Sequence, residues 1–193
     1  MTALILCRHG RTTWNDEGRY QGQTDVPLNP VGWQQARFLA QTLRSESIGA
    51  IYSSDLSRAA DTAAEIARFH ALPVHRDPRL REIHQGRWEG LTVAQIRERD
   101  AELHSRWEAD PLAVTLPGGE SIDDVRRRAL AAMCDIIRWH SGSLICLVTH
   151  KVVLTIMRCA LTGDPLDQAL RRLPPNASFE YVPVPLDFEE ACA

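Results

Sequence analysis

The sequence predicts an α/β fold with a mostly parallel sheet. Short continuous apolar runs, such as residues 3–7 and 144–148, are typical of strands that are buried on both faces. Segments with a helical period of apolar residues separate these runs, and this alternation favours parallel pairing with helices on the faces of the sheet. The 193 residues contain no internal repeat, low-complexity tract or linker, so we expect one domain that spans residues 1–193.

Five strands are expected along the chain, most of them short apolar runs that end at polar or turn-forming residues. The last of them is expected at an edge of the sheet, because Pro183 and Pro185 lack the N–H that a central strand must donate. The predicted strands are residues 3–7, 50–53, 73–76, 144–148 and 179–184.

The helix predictions rest on capping residues and on periodicity. Asn29 before Pro30 is typical of a helix start, and Ser121 with Asp124 three residues later is typical of a capping box. The helical segment 92–110 is more polar than the others and lies between Gly90 and a turn at residues 117–119. We therefore expect a small helical cap over about residues 91–117, beside the main sheet. The predicted helices are residues 30–43, 56–69, 92–110, 122–136 and 152–161.

The composition argues against several classes of protein. The formal net charge of −3 disfavours a nucleic-acid-binding protein, which normally has a basic face. No apolar run approaches the ~18–20 residues that a membrane helix needs, and the start of the chain lacks the pattern of a secretory signal. The five cysteines are odd in number and none forms a C-x-x-C pair. We therefore expect reduced thiols in a cytoplasmic protein, without a disulfide framework or a zinc site.

Two histidines follow apolar strands directly. His9 comes after the first predicted strand and His150 after the fourth. In open α/β sheets, ligands bind at the carboxyl ends of the strands, so both residues are candidates for a functional site. A polar residue is also expected wherever a strand leaves the core, and position alone leaves that structural interpretation open.

The residues around His9 favour a phosphate pocket. Arg8, Arg11 and Asn15 crowd around it in the sequence, and Arg58 lies early in a helix that follows a strand. Guanidinium groups match phosphate oxygens in a bidentate way, and the amino end of a helix favours an anion. For Arg58 alone, an ordinary surface ion pair is the competing interpretation.

A series of ordered motifs resembles the histidine phosphatase superfamily, the phosphoglycerate mutase-like proteins. The first is LCRHG at residues 6–10, together with Asn15. The match spans nearly the whole chain in family order, which makes it far more specific than the short R-H-G motif alone. Further matching blocks are residues 18–22, 25–28, 52–59, 62–63, 80–83, 86–90, 117–121 and 148–150.

The resemblance implies a three-layer α/β/α sandwich and assigns roles to individual residues. It implies that His9 is the nucleophile and that Glu82 is the general acid and base. No metal and no cofactor are implied. The implied phosphate-binding residues are Arg8, His9, Asn15, Arg58 and His150, with His150 also counted as catalytic. Further candidates, for substrate binding, are Arg11, Gln21, Gly22, His84 and Lys151.

The carboxylate assignment depends on the resemblance. Taken alone, Glu82 could be a loop carboxylate that pairs with Arg81 or Arg87. Without the family motif, the residues do not favour Glu82 over Glu89.

We expect a metal-independent phosphatase that acts on a small phosphorylated metabolite. The extra segment of the related mutases is not recognisable between Glu89 and Ser121, and this favours hydrolysis over phosphoryl transfer to a second hydroxyl. The alternatives are a phosphoglycerate mutase, a bisphosphatase acting on a fructose bisphosphate, and a non-catalytic module that binds a phosphorylated ligand. No nucleic-acid or membrane partner is expected, and a homodimer formed through a sheet edge is one option.

The basic residues comprise 21 arginines and one lysine, Lys151, which directly follows His150. Related proteins usually have glycine there. We expect its side chain to point away along the helix start; if it points inward, it adds a charge near the phosphate or near an anionic group of the substrate. The remaining histidines are expected to face solvent: His70, His75, His104 and His140.

Overall fold

A five-stranded sheet forms the centre of the molecule, for which a computed structural model describes residues 1–192. The strands are β1 (Ala3–Arg8), β2 (Ile48–Ser53), β3 (Val74–Arg76), β4 (Leu144–Thr149) and β5 (Phe179–Pro183). They lie in the order β3, β2, β4, β1, β5.

The sheet is parallel except at one edge. β1 and β2 both pair with β4 in parallel, and β3 pairs with β2 in parallel. β5 pairs with β1 in the antiparallel direction and has no partner on its other side within residues 1–192. The prediction of a mostly parallel α/β sheet with a proline-containing edge strand is confirmed.

Two of the long helices begin where their capping residues predict. The Asn29 side chain accepts a hydrogen bond from the Gly32 N–H, and Ser121 and Asp124 form the predicted capping box. Three short helices, α1, α7 and α8, were not predicted because four to six residues are too few to show a period. The helices are α1 (Thr13–Asp16), α2 (Pro30–Leu43), α3 (Ser57–Ala67), α4 (Val93–Ala109), α5 (Ile122–Trp139), α6 (Lys151–Thr162), α7 (Leu166–Ala169) and α8 (Leu186–Ala191).

Alternation along the strands divides the core into two halves. In β1, Leu4 and Leu6 pack with apolar residues of α5 and α6, whereas Ile5 and Cys7 pack with those of α2 and α3. Successive side chains of a strand point to opposite faces, so each central strand supplies both halves. Helices therefore cover both faces of the sheet, and the three layers are those of an α/β/α sandwich.

The predicted cap contains α4, which is kinked at Asp100. The Asp100 carboxylate accepts hydrogen bonds from Trp88 Nε1 at 2.8 Å and from the Arg87 guanidinium at 2.6 Å and 3.1 Å. These bonds tie the middle of α4 to the segment that follows β3. One histidine prediction is wrong here: His104 of α4 is buried against the rings of Tyr20 and Trp88.

The cysteine prediction is also wrong in part. Cys134 of α5 is joined by a disulfide to Cys192, just after α8, with Cα atoms 4.9 Å apart. The two residues are 58 positions apart, and such a pair leaves no spacing signature in the sequence. The other three cysteines, Cys7, Cys146 and Cys159, are free and buried.

Among the helices of residues 1–192, none has the length and apolar character needed to cross a lipid bilayer.

Candidate active site

The order of the strands brings His9 and His150 together. β1 and β4 are neighbours, with Arg8 opposite Thr149, so the two histidines leave the same edge side by side. The His9 N–H donates to the Thr149 carbonyl at 3.1 Å, and the ring centroids of His9 and His150 are 5.0 Å apart. Both rings line one cavity of about 280 Å³ at the carboxyl ends of the strands.

Most of the predicted site residues line this cavity, while Arg11 and His84 do not. Arg11 is exposed and pairs with Asp16 at 3.1 Å, and the His84 side chain is 41% exposed and points toward Glu89. Neither is brought to the cavity, although both lie close in sequence to residues that are. The predicted residues in the lining are Arg8, His9, Asn15, Gln21, Gly22, Arg58, Glu82, His150 and Lys151.

His9 is held in a neutral form with one defined tautomer. Its Nδ1 lies 2.7 Å from the Gly10 carbonyl oxygen, which can only accept, so Nδ1 carries the proton and Nε2 carries the lone pair. The side chain is 3% exposed, and burial lowers the pKa of His9 well below its ordinary value. The charges of Arg58 and Arg8 lower it further. A neutral imidazole with a free Nε2 is the nucleophilic form of histidine.

His150 is fully buried at the start of α6. Burial, followed by the charge of Arg58, lowers its pKa well below the ordinary value. Neither ring nitrogen has a hydrogen-bond partner among residues 1–192. Buried polar atoms are normally paired, so this ring has hydrogen-bonding capacity that a ligand in the cavity can use.

Arg58 is a buried cation and makes no surface ion pair. It is 1% exposed, and its two terminal nitrogens donate to the carbonyls of Thr24 and Gly22, each at 2.8 Å. Burial lowers the pKa of Arg58 to about 10, against the opposing effect of Glu82. The Nε of Arg58 has no partner within residues 1–192, and the same holds for the Nε of Arg8.

Asn15 is oriented by bonds to its carbonyl oxygen. That oxygen accepts from the Thr12 N–H at 3.1 Å and from the Asn176 amide at 3.2 Å, which leaves the Asn15 NH₂ as the group that can donate to a ligand. Asn176 also donates to the carbonyls of His9 and Gly10. The sequence offered no signal for Asn176, because no motif surrounds it.

The two candidate carboxylates have different surroundings. Glu82 is 6% exposed and lines the cavity, and one of its oxygens accepts from the Ile83 N–H at 3.0 Å. The alternative pairing with arginine is not found, because Arg81 pairs with Asp55 and Arg87 pairs with Asp100.

Glu89 lies outside the cavity lining and holds loops together. Its carboxylate accepts from the N–H groups of Gln23, Thr24 and Gln85 and from the Thr24 hydroxyl. Gly22 has a φ of +51°, and a side chain there would collide with Glu89. Glu89 is therefore a structural carboxylate, and Glu82 is the one that faces the cavity.

Arg128 of α5 holds the segment that carries Glu82. Its guanidinium donates to the carbonyls of Arg79, Arg81 and Glu82 at 2.6 Å to 2.9 Å and to both oxygens of Glu120. Arg128 could not be identified from sequence, because it belongs to a run of three arginines and such a run is typical of a solvated surface.

Of the two placements considered for Lys151, the structure has the inward one, because Lys151 lines the cavity and does not point away along the start of α6. Lys151 is the first residue of α6, directly after His150, and the first turn of this helix faces the carboxyl edge of the sheet. Burial lowers the pKa of Lys151, and the charge of Glu82 opposes this shift.

Within residues 1–192, no group of three or more His, Cys, Asp or Glu side chains is placed to hold a metal ion.

A cavity lined by two neutral histidines, two buried arginines and one carboxylate is equipped to bind and transfer a phosphoryl group. The family model described as "Histidine phosphatase superfamily (branch 1)" matches residues 4–184. The chain belongs to this family.

The relatives carry phosphatase and mutase names. Phosphoserine phosphatase 1 of Hydrogenobacter thermophilus is 37% identical over 94% of this chain and 86% of its own. A metal-independent phosphoserine phosphatase of Arabidopsis thaliana is 39% identical over 84% of this chain and 69% of its own. A probable phosphoglycerate mutase, GpmB of Yersinia pestis, is 34% identical over 99% of this chain and 87% of its own. Among solved structures, a mycobacterial glucosyl-3-phosphoglycerate phosphatase in complex with VO3 matches with a TM-score of 0.88. It is 33% identical over 97% of this chain and 93% of its own.

Proposed function

We propose that this protein is a metal-independent phosphatase that hydrolyses small phosphomonoesters through a phosphohistidine on His9. Membership of the histidine phosphatase superfamily and the phosphatase names of its relatives support the hydrolysis of phosphomonoesters. The observation that carries the mechanism is the neutral His9, with its Nε2 lone pair free, in a cavity whose other polar walls are cations, hydrogen-bond donors and one carboxylate.

The phosphate group is bound by donors that have capacity left for a ligand. Four groups in the cavity wall have hydrogen-bonding atoms without a protein partner: the Nε of Arg8, the Nε of Arg58, the Asn15 amide and the His150 ring. These donors hold the non-bridging oxygens and stabilise the charge that they carry in the transition state.

In the first step, Nε2 of His9 attacks phosphorus. The N–P bond forms while the P–O bond to the leaving group breaks, and Glu82 gives its proton to the departing oxygen. The products of this step are a free alcohol, a phosphohistidine and an ionised Glu82.

In the second step, Glu82 acts as a base. It takes a proton from a water molecule whose oxygen attacks phosphorus, and the N–P bond breaks to release inorganic phosphate and neutral His9. Glu82 is again protonated, so the cycle is closed.

The metal-independence is tested by following phosphate release from p-nitrophenyl phosphate with and without EDTA. We expect equal rates, because every charge that the mechanism needs is carried by side chains. Complete loss of activity on chelation, restored by a divalent cation, would contradict the proposal.

A phosphoglycerate mutase is the second candidate, favoured by the name of the Yersinia relative. It would interconvert 3- and 2-phosphoglycerate after priming by a bisphosphate. A failure to exchange these two isomers under conditions in which phosphate is released would reject it. The filled catalytic positions argue against a module that only binds a phosphorylated ligand.

A further inference from the structure

A second cavity of about 170 Å³ adjoins the first. Three residues line both: Tyr20, Gln85 and Lys151. A phosphomonoester whose phosphate occupies the first cavity can therefore extend its leaving group into the second.

The walls of the second cavity are mainly apolar. They come from α4, from the turn after it, from the starts of α5 and α6, and from the segment after α7. The apolar lining residues are Trp107, Pro111, Ile122, Val152, Leu170 and Leu173. Such a surface favours a leaving group with a hydrocarbon or aromatic body, because its burial removes apolar area from water.

Lys151 is a cation in contact with both cavities, and its ammonium makes no ion pair within residues 1–192. It nonetheless acts on the catalytic groups. Glu82 raises the pKa of Lys151 against the effect of burial, and Lys151 contributes to lowering the pKa of His9. The charge is therefore close to the reacting centre, and no protein carboxylate neutralises it by direct contact.

When a phosphomonoester is bound, its phosphate does not balance all the positive charges of the first cavity. In the reactive form Glu82 is protonated and His9 and His150 are neutral. Arg19 also lines the cavity but is paired with Glu17, so three cations without a carboxylate in contact remain: Arg8, Arg58 and Lys151. A phosphomonoester dianion supplies two negative charges, and one positive charge remains. A partly buried cation without a counter-charge is costly, and a third negative charge on the substrate removes this cost.

Besides Lys151, two charged groups line the second cavity, Glu108 and Arg171. Glu108 would repel an anion, but it pairs with Arg97 at 2.9 Å and lies 3.2 Å from His104. Arg171 donates to the Ala109 carbonyl at 3.0 Å. Arg171 keeps its charge but does not line the first cavity. Lys151 is therefore the cation that lies on the wall shared by the two cavities within residues 1–192.

We propose that Lys151 makes the enzyme select phosphomonoesters whose leaving group carries a carboxylate on an apolar body seated in the second cavity. This inference rests on the proposed phosphatase function and names the substrate class of the same site.

The test compares substrates that differ only in that charge. One pair is 4-carboxyphenyl phosphate and 4-carbamoylphenyl phosphate; a flexible pair is 4-phosphooxybutanoate and 4-phosphooxybutanamide. We expect the wild-type kcat/KM to favour the acid over the amide by about 10- to 100-fold in at least one pair, the range for hydrogen bonds to charged groups. Lys151→Met should remove this preference mainly by lowering kcat/KM for the acid, and Lys151→Arg should retain part of it.

The matched control is Arg172→Met, which removes an exposed arginine outside both cavities and should leave the acid-to-amide ratio unchanged. If Lys151→Met lowers kcat/KM equally for acids and amides, Lys151 acts on the phosphate and the inference is wrong. A wild-type enzyme without preference in either pair also overturns it. Failure of the phosphatase function itself is a different result, in which no compound of either pair is hydrolysed by any variant.

A binding measurement checks the same inference without turnover. Lys151 is the only lysine, so reductive methylation with ¹³C-formaldehyde labels Lys151 and the amino terminus alone. In the presence of inorganic phosphate, 4-hydroxybenzoate should shift the Lys151 methyl signal and 4-hydroxybenzamide should not. Equal shifts with both compounds would contradict recognition of the carboxylate.

Discussion

Two glutamates seven positions apart show how surroundings decide the role of a residue. Glu82 faces the cavity with few partners, whereas Glu89 accepts four hydrogen bonds from the loops around it. The sequence could not separate them, because two of the residues that engage Glu89, Gln23 and Thr24, lie 66 and 65 positions away. The family motif indicates Glu82, and the structure shows why: Glu82 lines the cavity, whereas Glu89 is hydrogen-bonded to the loops.

Glu82→Gln should lower kcat/KM for an alkyl phosphate by roughly 10²- to 10⁴-fold, the usual contribution of a positioned acid. The loss for p-nitrophenyl phosphate should be much smaller, because nitrophenolate departs without a proton. Steady-state kinetics on both substrates measures this difference.

The control for this experiment is Glu89→Gln. It should lower the denaturation midpoint, since it weakens the bonds that hold the loops, and leave the ratio of the two substrates near that of the wild type. Equal losses on both substrates with Glu82→Gln would contradict its role as the general acid.

At the scale of elements, the three consecutive arginines Arg126–Arg128 on α5 have different partners. Arg126 and Arg127 pair with aspartates of the first turn at the surface, while Arg128 turns inward and binds the segment that carries Glu82. Helical geometry places neighbouring residues about 100° apart, so consecutive arginines must face different surroundings. Identifying the inward one requires the position of the neighbouring loop.

Arg128→Met should reduce both stability and catalysis. It removes the guanidinium that donates to the Arg79 and Arg81 carbonyls, and it leaves Glu120 and the Glu82 carbonyl with fewer donors. We expect a loss of about 2–4 kcal/mol in the free energy of unfolding measured in urea. Because Glu82 is then poorly positioned, kcat/KM for alkyl phosphates should fall more than that for p-nitrophenyl phosphate.

Arg127→Met is the matched control, since it removes the neighbouring arginine from an exposed ion pair. It should leave both the urea midpoint and the kinetics nearly unchanged. A similar effect of the two substitutions would show that the inward position of Arg128 has no special role.

The elements with strong local signals were predictable, and those without were not. Caps and apolar periods located the principal strands and the long helices, including the starts of α2 and α5. The kink of α4 lies at Asp100, whose carboxylate accepts hydrogen bonds from Arg87 and Trp88, and sequence patterns do not show such contacts.

For the whole molecule, the sheet order is the decisive fact that the sequence left open. The sequence placed His9 and His150 at the carboxyl ends of two strands, but their contact requires β1 and β4 to be neighbours. The disulfide between Cys134 and Cys192 likewise depends on the packing of α8 near α5. Contacts between residues so far apart in the chain leave no pattern in the sequence around either residue.

Burying two neutral histidines should make global stability depend on pH. The folded pKa values of His9 and His150 lie below the unfolded value of about 6.5, so the unfolded chain binds more protons as the pH falls. Stability should therefore decrease between pH 7.5 and 5.5, by at most about 1.4 kcal/mol for each histidine or about 3 kcal/mol for the pair. Urea denaturation across this range measures the slope.

The control is the double variant His9→Gln with His150→Gln, in which the slope over the same range should flatten. Carboxylates with lowered pKa values, such as Asp55 and Asp135, lose their contribution only at lower pH. A wild-type stability that stays constant from pH 7.5 to 5.5 would show that these histidines are not held neutral.

The most direct test of the mechanism is trapping of the phosphorylated enzyme. Rapid denaturation in base during turnover of a ³²P-labelled phosphomonoester, followed by peptide mass spectrometry, locates the labelled atom. We predict one phosphate on His9, stable in base and lost in acid, formed within the first turnover and absent from His9→Ala. A label on another residue, or wild-type turnover by His9→Ala, would contradict the account.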